Sequence, residues 1–419
     1  MEITRDLYLQ QLIDRKHSGL IKIVSGIRRC GKSYLLNVLF RNHLLAEGVP
    51  SERILMISLD DYDQTQYRDP AVLYPHVKDF LKTSDMHYLL LDEVQLLGEF
   101  ESVLNGLMRC PNLDIYVTGS NSRFLSTDVV TEFRGRGEEI RVYPLSFAEF
   151  CAARTYSESN WQDAWEEYCL YGGMPLIVSY SDVRSKETYL RALMKETYLK
   201  DIIERNKIRN TEELEELTDM IASGIGGLTN AGKLERRFKS EKRVELSAPT
   251  IRLYLDYMQD AFLIDKAKRY DIKGKRYINT PCKYYMADMG LRNARLDFRQ
   301  TDMPHIMENI IYNELNIRGY RVDVGEVKSV EQKHQISTEV DFVVNRGSSR
   351  YYIQSAWALP SVEKWTQEKR SLLSIRDSFR KIIIVNDNSI SYQERDGILI
   401  LSLRDFLLRQ DKLDALLTL

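Results

Sequence analysis

Cysteine is scarce and poorly placed for metal or disulfide chemistry. The five cysteines, Cys30, Cys110, Cys151, Cys169 and Cys282, show no C-x-x-C spacing, which argues against a zinc site and a disulfide framework and leaves reduced thiols as the expectation. Long apolar runs are missing as well: none approaches the roughly 20 residues that a membrane helix needs. Met1-Glu2-Ile3-Thr4-Arg5 is unlike a secretory signal, so no membrane contact and a cytoplasmic location are expected. Excess charge of either sign is absent too. A net charge of −2 and a pI near 6.4 give the whole molecule no attraction to nucleic acid, so any DNA contact needs a local basic face. There is no internal repeat at a fixed period and no low-complexity tract.

What is present belongs to a soluble globular protein. Hydrophobic residues make up 43% and charged residues 29% of 419 residues, a length that invites two or three domains. The most specific string is Gly26-Ile27-Arg28-Arg29-Cys30-Gly31-Lys32-Ser33, a complete G-x-x-x-x-G-K-S loop followed by Tyr34. Its glycines let backbone N–H groups close around a phosphate, Lys32 brings a point charge to the β/γ-phosphates, and Ser33 is placed to ligate Mg²⁺. The β-branched run Leu20 to Val24 precedes it and a helical pattern from Tyr34 to Leu45 follows, so a helix N-terminus faces the phosphates.

Strand and helix signals then alternate: strand 20–24, helix 32–46, strand 53–59, helix 70–82, strand 87–91, helix 98–109, strand 113–118. That order predicts a parallel sheet with helices on both faces. Tyr88-Leu89-Leu90-Leu91-Asp92-Glu93 is a buried strand with two acids at its carboxyl end, where ligands bind in open α/β sheets. Asp92 is predicted to serve the Mg²⁺ shell and Glu93 to orient or deprotonate the attacking water. In Ile115-Tyr116-Val117-Thr118-Gly119-Ser120-Asn121, Ser120 and Asn121 either position water and sense the γ-phosphate or simply form a turn. Arg136, and with less weight Arg134, is either an arginine finger on a Gly-rich loop or a surface charge. A finger acting in trans implies a homo-oligomer. Arg28 and Arg29 contact the nucleotide, a neighbouring domain, or nothing.

These motifs, with Leu91-Asp92-Glu93-Val94-Gln95, Thr118-Gly119-Ser120, Gly135-Arg136, Tyr143-Pro144-Leu145-Ser146-Phe147-Ala148-Glu149-Phe150 and Gly172-Gly173-Met174-Pro175, resemble the AAA-type ATPases of bacteria and archaea that carry a C-terminal DUF4143 domain. The likeness extends through Lys283-Tyr284-Tyr285-Met286-Ala287-Asp288-Met289-Gly290-Leu291 and Glu308-Asn309-Ile310-Ile311-Tyr312-Asn313-Glu314-Leu315, and so covers nearly the whole chain. It implies an ATP-binding domain, a winged-helix segment and a C-terminal fold similar to restriction endonucleases. It also implies ATP rather than GTP.

The fold class expected is therefore α/β: a P-loop NTPase (AAA-like) parallel-sheet domain at 1–145, a helical and winged-helix region at 146–295, and a small α/β restriction-endonuclease-like domain at 296–419. In the middle region, helices followed by a hairpin turning at Lys273-Gly274 suggest the winged helix. Lys233 to Arg243 and Lys266 to Arg276 are locally basic, which offers a face to double-stranded DNA or else a solvated surface. Ile251, Tyr254, Leu255 and Met258 fall on one face of a helix that starts near Ser247.

In the C-terminal part, Glu308 on a helix and Asp341 on a strand resemble the metal-binding acids of metal-dependent endonucleases. Gln354 stands where the second strand acid belongs and Ala356 where the lysine belongs. One anionic ligand and the charge-stabilising cation are thus missing, and nuclease activity is not expected. Lys328, Lys333 and Lys364 are candidates to supply a migrated charge, which the sequence does not place. Together these features predict Mg²⁺-dependent ATP hydrolysis coupled to movement of the later domains. The alternatives are a slow nucleotide-gated switch acting through a protein partner, or an ATP-regulated nuclease.

Overall fold

The computed structural model describes residues 3–120, 136–157, 160–242, 246–299, 302–331, 334–358, 361–387 and 391–409; Asn121, Arg134 and Lys333 lie outside them. The chain forms two compact units, Met1–Pro144 with Asp260–Phe262, and Leu145–Gln259 with Leu263–Leu419.

In the first unit, strands β1 (Ile21–Ser25), β2 (Ile54–Ser58), β3 (His87–Asp92), β4 (Leu113–Gly119) and β5 (Gly137–Arg141) form one sheet in the order β2-β3-β4-β1-β5. Every pair is parallel. β1, β3 and β4 are buried along their whole length, and for that reason they are mainly apolar, without a strict alternation. Leu89, Leu91, Ile115 and Val117 pack with Leu73 and Val77 of helix Pro70–Phe80 and with Val103 and Leu104 of helix Phe100–Leu107. The Asp69 side chain caps the first of these helices by accepting from Ala71 N–H, and Pro70 occupies its first turn. The phosphate loop leads from β1 into a helical run made of Lys32–Tyr34, Leu35–Phe40 and Arg41–Ala46. Lys22, fully buried within β1, is paired with Asp114 of β4.

The second unit opens with helices and ends in an eight-stranded mixed sheet, ordered β12-β13-β11-β10-β9-β8-β6-β7. Its strands are β6 (Ile264–Asp271), β7 (Arg276–Met286), β8 (Arg321–Glu331), β9 (His334–Arg346), β10 (Ser349–Ala356), β11 (Arg380–Val385), β12 (Tyr392–Gln393) and β13 (Leu399–Ser402). The boundary expected at 295/296 therefore runs through a single sheet. The hairpin β6-β7 is joined to the C-terminal strands because β6 pairs in parallel with β8, Arg269 opposite Val324 and Asp271 opposite Glu326. Helix Ala248–Asp260 buries Ile251, Tyr254, Leu255 and Met258.

Several family-like strings are joints of this unit. Gly173 N–H donates to Asp288 Oδ2 at 2.7 Å and Leu291 N–H donates to Asp288 Oδ1 at 3.0 Å. A Cβ on Gly172 would lie 2.3 Å from the same carboxylate, so the Gly-Gly and Asp-x-Gly-Leu strings require one another. Glu314 accepts from Phe147 N–H at 2.8 Å, and Asn309 bonds both the N–H and the C=O of Met286. Ser146 and Glu149 form a capping box on helix Phe147–Ala153.

All five cysteines are buried and unbridged. Among the described residues no helix is long and apolar enough to cross a membrane.

Candidate functional site

Backbone geometry shapes the phosphate loop first. Gly26 has φ +138° and its Cβ would meet Val142 O at 2.1 Å; Gly31 has φ +98° and directly precedes the helical run. Neither position tolerates a side chain. Arg29 also sits at positive φ, +65°. Beneath the loop, Cys30 Sγ approaches Val142 O at 3.4 Å, so this cysteine packs the loop against the strand end. Arg5, a residue that no sequence pattern singled out, donates to Cys30 O at 3.3 Å and to Tyr143 O at 2.6 Å, and braces the loop from below. Ile27 is buried, Arg28 and Tyr34 are half-buried, and Arg29 and Ser33 are exposed. Lys32 Nζ donates to Gly26 O at 3.0 Å and Ile27 O at 3.1 Å. Among the described residues its ammonium donates to neutral carbonyls, and the first-turn N–H groups that follow have no partner within the helix. This donor set fits a phosphate.

The acids at the end of β3 are brought to the same edge. β3 and β4 pair with Leu91 opposite Val117, which sets Asp92 beside Thr118. The Thr118 hydroxyl donates to Asp92 Oδ1 and accepts from Glu93 N–H at 2.9 Å. Burial pushes the Asp92 carboxyl above its usual range, while hydrogen bonds from Thr118 and Ser33 pull it back. Ser33 and Asp92 thus stand together, as a shared Mg²⁺ shell requires.

Glu93 adopts φ +53°. Its Oε2 accepts from Gln95 Nε2 and from Ser120 Oγ at 3.2 Å, and Ser120 Oγ accepts from Arg28 Nε at 3.3 Å. A hydrogen-bonded chain therefore runs from the loop arginine to the acid.

Arg136 is not brought to this edge. Its carbonyl accepts from Ile21 N–H, and β5 pairs with β1 from Ile21–Gly137 to Ser25–Arg141. Arg136 thus lies at the opposite end of the sheet from the loop, about 16 Å away by strand rise, beyond the reach of its side chain. A finger role in cis is corrected on this ground. Thr118 and Gln95 were missed by sequence reasoning. Both lie in the quoted strings, but their partners follow only from strand register and from the turn after β3.

The second predicted cluster is assembled differently. Glu308 lies on helix Met303–Ile317 and Asp341 on β9. Between them sits Lys283 of β7, its Nζ 2.7 Å from Glu308 Oε1, 2.7 Å from Glu339 Oε1 and 3.8 Å from Asp341 Oδ1. A lysine does stand among these acids, and it comes from the hairpin, not from β10 where Ala356 sits. Lys328 instead faces Asp271 and Glu326, and Lys364 pairs with Glu368. Gln354 Oε1 accepts from Asp341 N–H at 3.4 Å, and Ala356 packs in the core with Leu372 and Ile375. Burial, with Glu308 nearby, pushes the Asp341 carboxyl up to about 8. Burial opposes the charge on Lys283, but Glu308, Asp341 and Glu339 outweigh it and raise its pKa.

Comparison with known proteins agrees with the first unit's architecture. A family model described as an AAA domain, AAA_14, matches residues 18–151. A second, a domain of unknown function, DUF8612, matches residues 162–302; DUF4143 is not the model matched. An uncharacterized protein of Haemophilus influenzae is 36% identical over 410 residues, which span 97% of this chain and 99% of that protein. The uncharacterized protein MJ1544 of Methanocaldococcus jannaschii is 27% identical over 405 residues, spanning 94% and 85% of the two chains. Among solved structures, the Walker-type ATPase PABY2304 of Pyrococcus abyssi superposes with a TM-score of 0.50 at 16% identity, over 70% of this chain and 96% of that one; this likeness shows the fold. With a five-stranded parallel sheet, a complete phosphate loop and a relative matched almost end to end, the chain belongs to the family of the Haemophilus influenzae protein, and its residues 18–151 form an AAA domain.

Proposed function

We propose that this protein is a Mg²⁺-dependent ATPase. Residues Gly26 to Tyr34 hold the phosphates of ATP, Ser33 and Asp92 hold the metal, and Glu93 prepares the water. Bound Mg²⁺ would neutralise charge on the phosphate oxygens. The observation that carries this reading is the chain Arg28–Ser120–Glu93, which links the phosphate loop to the base through one hydroxyl. A phosphate that draws Arg28 away from Ser120 releases one of the groups that orient Glu93.

The Glu93 carboxylate already receives two hydrogen bonds, which favours slow basal turnover. That gives weight to a second reading, in which the nucleotide state acts as a switch on a protein partner. A finger role for Arg136 requires a second copy of the chain. Exposed Lys266, Lys268, Lys273, Lys275 and Arg276 on the hairpin form the local basic face that contact with double-stranded DNA needs. In this reading, the hairpin and the sheet that carries it are what the nucleotide state moves.

Steady-state phosphate release from wild type and Glu93→Gln tests the assignment. The variant should lose about 100-fold or more in rate while it still binds ATP. An unchanged rate removes Glu93 from the mechanism. A wild type that binds ATP without turnover replaces the ATPase by the switch.

A further inference from the structure

The acid cluster of the second unit already contains a cation. Three carboxylates from two elements, Glu308 on helix Met303–Ile317 and Glu339 and Asp341 on β9, surround the ammonium of a residue from a third element, β7. Lys283 is buried; its ammonium lies within hydrogen-bond distance of Glu308 and Glu339 and 3.8 Å from Asp341. We propose that Lys283 is the resident cation of this cluster, standing in place of a divalent metal and joining β7, the helix and β9 as one ion-pair joint.

Several of the oxygens that a metal would draw on already have partners. Glu308 Oε1 also accepts from Tyr285 Oη at 2.6 Å, and Asp341 Oδ2 accepts from Ser355 N–H at 2.8 Å. Gln354 spends its amide oxygen on the Asp341 main chain. Mg²⁺ demands near-octahedral oxygen ligands at about 2.0–2.1 Å and retains several waters. Among the described residues, no group of three or more acid, histidine or cysteine side chains is arranged to hold a metal ion.

One ammonium matches one of the three acid charges; burial and Glu308 keep a proton on Asp341, which neutralises a second, and half-buried Glu339 reaches solvent. A divalent ion beside the buried lysine would face direct repulsion. The next strand adds no competing ammonium, because Ala356 belongs to the apolar core there. Burial makes the joint strict, since removing either charge leaves its partner uncompensated.

Mn²⁺ binding to the full-length, nucleotide-free protein, read by electron paramagnetic resonance, tests the proposal. Wild type and Asp341→Asn should bind the same number of ions. Lys283→Met should gain one site, which Lys283→Met/Asp341→Asn loses again, and only Lys283→Met should melt at a higher temperature with Mn²⁺ than without. A wild-type Mn²⁺ site that vanishes in Asp341→Asn overturns the proposal. So does a folded Lys283→Met protein that melts like wild type and gains no ion. Should Lys283→Met fail to fold, removing the acids with it, as Lys283→Met/Glu308→Gln/Asp341→Asn, is expected to restore folding; failure to do so refutes the joint, and the comparison of wild type with Asp341→Asn still decides whether a metal belongs there.

Discussion

Both units bury a lysine, Lys32 in the phosphate loop and Lys283 on β7, and they treat its charge in opposite ways. Lys32 rests on two main-chain carbonyls, Gly26 O and Ile27 O, while Asp92 and Glu93 are held by hydroxyl and amide donors. None of those bonds joins the lysine to an acid, so the charge stays available to an incoming anion. Lys283 instead touches Glu308 and Glu339 directly at 2.7 Å. Its charge is spent inside the protein. A site that waits for a ligand keeps its lysine and its carboxylates apart with neutral groups, whereas a joint lets them meet.

The largest expected effect would break this comparison at its first half. Lys32→Ala should reduce phosphate release by about 100-fold or more with little change in melting temperature, because the ammonium gives up only carbonyl contacts. A collapse in melting temperature would make Lys32 a structural group like Lys283.

A smaller effect sharpens the second half. Folded Asp341 keeps its proton up to about 8, whereas an unfolded aspartate loses it near about 3.9. Unfolding therefore releases a proton between those values, and stability falls as pH rises through the window and levels off above about 8. Buried Asp288, raised to about 6, adds to the lower part of the same slope. Melting curves between pH 5 and 9 should decline for wild type and be flatter for Asp341→Asn; equal slopes would show that the cluster does not share a proton.

The smallest effect concerns Gln95. Its side chain occupies Glu93 Oε2, so Gln95→Ala should raise basal phosphate release by about two- to tenfold, the worth of one hydrogen bond, with KM unchanged. A fall in rate would mean that Gln95 orients Glu93 productively rather than restraining it.

Much of the architecture was legible beforehand for a physical reason. β1, β3 and β4 are covered on both faces, so β3 carries an unbroken apolar run and β1 and β4 are mainly apolar around the paired Lys22 and Asp114, and the helices between them carry their own periodicity and caps. β5 was not legible: Gly137-Glu138-Glu139-Ile140-Arg141 is an edge strand with a single apolar residue, and it is defined only by pairing with β1. Its direction decides that Arg136 lies away from the loop. The hairpin at Lys273-Gly274 was visible in the sequence, but its attachment to β8 was not, because parallel pairing between distant segments leaves no local signature. At the site, Glu93 and Ser120 were identified as types, yet the bond between them depends on the register of β3 with β4.

The sequence by itself determined the phosphate loop. Gly26, Gly31, Lys32 and Ser33 are close neighbours along the chain, and local backbone geometry is enough to fold them around an anion. Only the tertiary structure decided what the second cluster contains. A spacing rule applied to β10 finds Ala356 and concludes that the lysine is absent. A charge, however, is placed by distance in space, and the eight-stranded sheet carries Lys283 from a hairpin to within 2.7 Å of the acids.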